Sequence, residues 1–155
     1  MSAGDELPAG ALVLRLPSVS HIRISGQQRQ PTPEAFALSS AERATLATGE
    51  RVLVSVWDRA RITVAEARSL RVGRDVTAFE LAVTDVRAIA VDLNHSELSV
   101  IEDPAHAPAA ATPAQRDAHA GIAGLDVAPA GHVNPRLLKD VRDALARACR
   151  GPVEG

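Results

Sequence analysis

Between Pro104 and Asn134 the chain runs for 31 residues with only Ile122, Leu125, Val127 and Val133 as branched aliphatics, among many alanines, prolines and glycines. Such a stretch cannot by itself bury enough apolar surface to offset the entropy of ordering it. It therefore divides the chain into a sheet-forming domain over 1–103, a linker over 104–134 with a short helix after Thr112-Pro113, and a helix over 135–150. The apolar supply fits one modest core. Hydrophobic residues are 46% of the chain, but 29 of them are alanine. A domain of this size folds without disulfides or metal. Cys149, the single cysteine, excludes an internal disulfide and a Cys-based zinc cluster.

The elements follow from hydrophobic period and punctuation. Residues 11–16 and 19–25 read as two short strands, the second alternating Ile22 and Ile24 against His21 and Arg23. Residues 26–38, with Gly26, Pro31 and Pro33, read as loop. Ser39-Ser40-Ala41-Glu42 opens a helix to about Thr48. Val52, Val54 and Val56 alternate with Leu53, Ser55 and Trp57, the pattern of a strand buried on at least one face. Thr63-Val64-Ala65-Glu66 is a second capping box, starting a helix of about two turns that ends near Gly73. Strands are expected over 76–83, 86–91 and 98–101, the last two as a hairpin. Asn134-Pro135 caps the final helix, where Leu137, Leu138, Val141, Leu145 and Ala148 form one apolar stripe. The expected class is α+β: a small mixed sheet, one or two short helices on one face, and a C-terminal amphipathic helix.

A formal charge of −2 gives no long-range field toward nucleic acid or an anionic membrane. Sixteen of the seventeen basic residues are arginine, an excess that GC-rich coding explains better than phosphate chemistry does. With Phe36, Phe79 and Trp57 as the only aromatics, a base-stacking surface is not expected. No run is apolar enough for a membrane span, and Asp5 and Glu6 stand where a secretory leader carries positive charge, so a cytoplasmic location is expected.

Two regions could carry function. The first is Trp57, Asp58, Arg59, Arg61 and Thr63, between a strand and a helix N-terminus, where free backbone N–H groups and two guanidinium groups could bind a small anion. Asp58 competes for the same donors. The plainer alternative is a core tryptophan, solvated arginines and a capping threonine. The second is the stripe of Leu137, Leu138, Val141 and Leu145, which either docks on its own sheet or binds another protein or a second copy. No metal site is expected. His106, His119 and His132 form no short chelating pair, and Asp92-Leu93-Asn94-His95 lacks the glycine and flanking helices of a calcium loop. No cofactor motif occurs, and no serine lies in a nucleophile-elbow pattern. Glu102-Asp103 reads as a solvated strand end and Cys149 as an inert thiol. The leading expectation is a non-enzymatic accessory or protein-interaction module. The alternative is a small enzyme or ligand-binding regulator using the 57–63 turn for an anionic small molecule.

Overall fold

A computed structural model describes residues 5–17, 19–37, 53–70, 77–125 and 135–153. The helix expected over 39–48 lies outside them. The fold is α+β, and every strand pairing among the described residues is antiparallel. Eight strands are present among the described residues: β1 (Leu12–Arg15), β2 (Ile22–Ser25), β3 (Gln28–Pro31), β4 (Val54–Asp58), β5 (Ala78–Ala82), β6 (Ser99–Glu102), β7 (His119–Ala123) and β8 (Arg150–Val153). Four α-helices accompany them: α1 (Val64–Ser69), α2 (Val83–Asp92), α3 (Pro113–Ala118) and α4 (Pro135–Ala148). The main sheet has the order β6-β7-β4-β1-β5-β8, and β2 and β3 form a separate hairpin.

Alternation along the strands gives this sheet two apolar faces, so helices cover both rather than one. Val13, Val54, Val56, Leu81, Val100 and Ile122 pack with α2, α4 and the 3-10 turn at Pro33–Phe36. On the opposite face Leu14, Trp57 and Ala78 pack with Ile62, with Val64 and Ala67 of α1, and with Ala118 of α3. The stripe of α4 is consumed here. Leu138, Val141 and Leu145 are buried in the chain's own core and Leu137 packs against it.

The expected linker holds the largest departure. Thr112 caps α3 through a reciprocal bond pair with Gln115, proline occupies the first turn, and the chain passes from α3 into β7. Strand β7 lies between β6 and β4, and all its residues are buried. Its small side chains are a packing requirement: a Cβ on Gly121 would lie 2.4 Å from Leu53 Cβ. Composition thus conceals a central strand whose covering side chains come from elsewhere.

Three further segments differ from expectation. Residues 83–92 are helical instead of forming a hairpin strand, with Val83 and Val86 buried at three-residue spacing and Val91 in solvent. Residues 28–31 are a strand instead of loop, joined to β2 through Gly26 at φ +61°, a conformation glycine adopts without strain. Residues 150–153 continue past the helix as β8, where Pro152 is tolerated because this is an edge strand.

Glu102 and Asp103 are buried, not solvated, because the segment at Asp5–Leu7 runs along β6: Glu102 N donates to Asp5 O at 2.8 Å and Leu7 N to Val100 O at 3.0 Å. Glu102 Oε2 is buried without a hydrogen-bond partner. Burial pushes this carboxyl above its ordinary value of 4.5, helped by Asp5 and Asp58 and opposed by Arg61. The folded state therefore holds the proton more tightly than the unfolded chain, a contribution present in full below 4.5 and lost as pH rises through the folded pKa. Glu102→Gln is expected to stabilise the protein by about 1 kcal/mol at pH 7, a rise in Tm of about 2–4 °C. The gain should vanish below the ordinary carboxyl range, and thermal melts of both proteins across pH check this.

Candidate functional site

The 57–63 turn engages its own donors. Arg59 N donates to Leu12 O, Arg61 N to Asp58 O, Ala60 N to Asp58 Oδ1 and Thr63 N to Glu66 Oε1. Thr63 Oγ1 accepts from Glu66 N, completing the capping box at the start of α1. The guanidinium groups are paired as well: Arg59 with Glu80, and Arg61 Nε with Asp58 Oδ2 at 3.6 Å. Glu66 also accepts from Gln115 Nε2 at 3.2 Å, tying α1 to α3. These bonds, that from Gln115 foremost, hold the Glu66 carboxyl below its ordinary value. Trp57 is buried on the sheet, its ring meeting that of His119 edge-on at 4.9 Å between centroids.

That contact leads to a site the sequence does not mark. Trp57 and His119 are register partners on β4 and β7, so Ser55, two residues back, lies on the same face diagonally from His119. Ser55 Oγ and His119 Nε2 are 2.8 Å apart. On the far side of the ring, Nδ1 is 2.7 Å from the backbone oxygen of Asp103. A carbonyl can only accept, so Nδ1 carries the proton and donates. In the neutral ring Nε2 is then the acceptor, and the Ser55 hydroxyl donates to it. His119 is 3% exposed. Burial holds its pKa below the ordinary 6.5, with His106 adding to that effect and the Asp103 carbonyl and carboxylate opposing it. The ring is therefore neutral at pH 7.

Asp103 continues the chain of polar groups outward. Its Oδ2 lies 3.9 Å from His119 Nδ1, and its Oδ1 is 2.7 Å from Nδ1 of the exposed His106. Two of the three histidines set aside as metal ligands, His106 and His119, thus meet one aspartate. Among the described residues no group of three or more His, Cys, Asp or Glu is arranged to hold a metal ion.

Ser55 is one of the residues lining a cavity of about 70 Å³, together with Arg15, Leu16, Trp57, Ala67, Leu70 and Pro108. Arg15 is a clip: Nε and Nη2 donate to Ala35 O at 2.9 and 2.6 Å, and Nη1 donates to Ser55 O at 2.9 Å. It joins the Pro33–Phe36 turn to the β4 segment that bears Ser55. Cys149 is far from this chemistry in character, since burial pushes its thiol up to about 12.

No local signal marks Ser55 or His119 as a pair, because only the β4–β7 register brings them together. Among the described residues no helix is long and apolar enough to cross a membrane. Comparison of the chain with family models, with curated proteins and with solved structures finds no match.

Proposed function

We propose that the protein is a small hydrolase of acyl compounds, with Ser55 as nucleophile and His119 as general base. The observation that carries this reading is the 2.8 Å contact from the Ser55 hydroxyl to a neutral, buried imidazole whose other nitrogen is fixed by a backbone carbonyl. Ser55 Oγ attacks an acyl carbonyl while its proton passes to His119 Nε2. That proton then leaves with the departing alcohol as the carbon–oxygen bond breaks. Water attacks the acyl-serine in turn, His119 taking its proton and returning it to Ser55 as the acid departs. Asp103 is a positioning residue, fixing the imidazole tautomer through its carbonyl and facing the imidazolium through its carboxylate. Arg15 adds positive charge to the cavity wall beside the Ser55 carbonyl.

The interaction role expected for α4 has less support, because its apolar stripe is buried within the domain. An anion at the 57–63 turn would have to displace the bonds made there by Asp58, Glu66 and Glu80.

A small alkyl fluorophosphonate should label the protein at Ser55, read by intact mass and peptide mapping. Ser55→Ala should abolish labelling and lower hydrolysis of p-nitrophenyl acetate by at least about a hundredfold, as should His119→Gln. Because the base must be unprotonated, the rate should rise with pH to a plateau whose midpoint lies below 6.5. No adduct, or equal rates in wild type and Ser55→Ala, would leave the serine–histidine pair as a structural tie between β4 and β7.

A further inference from the structure

The cavity beside Ser55 has a size and lining that select what can enter it. At about 70 Å³ it has roughly half the volume of an apolar cavity that admits benzene, room for about three or four heavy atoms. Its walls come from the apolar cluster on this face of the sheet: Leu16, Trp57 and Ala67 are buried there and Leu70 packs against them. Pro108 completes the wall. Among the described residues no carboxylate lines it, so none of them would pair there with a cationic group. The charged residue among the described wall residues, Arg15, directs N–H groups at two backbone oxygens. Ala67 and Leu70 lie in α1 and at its C-cap, a helix fixed at its start by the Thr63–Glu66 box and held to α3 through Gln115.

We propose, resting on the reading of Ser55 as nucleophile, that this cavity is the acyl subsite and takes a short uncharged acyl group of about two to four carbons. Longer chains meet Leu70 and the face of α1.

The test is a chain-length series of p-nitrophenyl esters. Acetyl and butyryl esters are expected to give kcat/KM values within about tenfold of each other, with the octanoyl ester at least about tenfold lower. A succinyl monoester should also be slow. Leu70→Ala, which touches no reacting atom, should raise the octanoyl-to-butyryl ratio by about tenfold. An octanoyl rate equal to or above the butyryl rate in the wild type, or an unchanged ratio in Leu70→Ala, would overturn the subsite while leaving Ser55 as nucleophile. A fast succinyl ester would move the preference to anionic acyl groups and overturn it too. Should no ester react, the nucleophile reading falls alone, and binding still decides the subsite. In Ser55→Ala, 2-butanone should shift the indole N–H resonance of Trp57 saturably, and 2-decanone should not. No shift with butanone would overturn the subsite in either case.

Discussion

A chain ended at Pro104 is expected to show no cooperative thermal transition. It keeps six of the eight strands, but it loses β7 from between β6 and β4, and β8 from the far edge. It also loses Ile122, Leu125, Leu138, Val141 and Leu145 from the larger apolar cluster. Each such side chain contributes roughly 1.5–3 kcal/mol when fully buried. Together they match or exceed the roughly 5–15 kcal/mol of net stability a domain of this kind has. Strand β6 would be left with its inner edge bare and no neighbour but the Asp5–Leu7 segment. Calorimetry and amide exchange of the 1–104 fragment check this. A sharp endotherm with protected amides in β1, β4 and β5 would show that the remaining strands suffice.

Gly121→Val is expected to destabilise the full chain by about 3 kcal/mol or more. Its Cβ would lie 2.4 Å from Leu53 Cβ, and the nearest atom is the root of that side chain, which a rotamer change cannot move. Backbone at β7 or at Leu53 must shift instead, and β7 is paired on both sides. The gain from a β-branched residue in a strand, at most about 1 kcal/mol, does not offset that. Leu53→Ala leaves the offending Cβ in place but removes the Cγ and Cδ1 that lie 3.2 and 2.9 Å away. Leu53→Gly removes all three. Denaturant unfolding of the two double variants should therefore show graded rescue, larger with glycine. Equal stabilities in Gly121→Val and the wild type would mean that the two strands have room to part. Because Ser55 pairs with Gly121 across the sheet, the same substitution should disturb the serine–histidine contact.

Where period and punctuation agree, the sequence is readable. The capping box at Thr63 and Glu66 starts α1 where expected, and Pro135 with the Leu138, Val141, Leu145 stripe defines α4. The strand through Val54 and Val56 is as alternation requires. Misreadings arise where a local signal is missing. Helix α2 begins at Val83 directly after β5, and its N-cap Ala82 makes no side-chain bond, so nothing separates it from the strand before it. Strand β3 is Gln-Arg-Gln-Pro and has no apolar alternation at all. Strand β7 carries glycine at 121 because Leu53 covers that position, information held far away in the chain. The site depends on the same non-local pairing. Trp57 was legible as a large residue at a strand end, whereas Ser55 and His119 become partners only through the β4–β7 register.

That register also bears on how the chain reaches its native state. In the main sheet only β6 and β7 are neighbours in both sequence and space. Every other ladder joins distant segments, as where Val13 meets Leu81, Trp57 meets His119 and Ala78 meets Val153. Loop-closure entropy must be overcome before such pairings give any return, so contact order predicts folding in the slow, millisecond-to-second range. During synthesis β1, β4 and β5 leave the ribosome before β7 and β8 exist. The nascent sheet therefore carries two unpaired edges until the last third of the chain emerges, and that interval is when it is most exposed to aggregation or to capture by a chaperone.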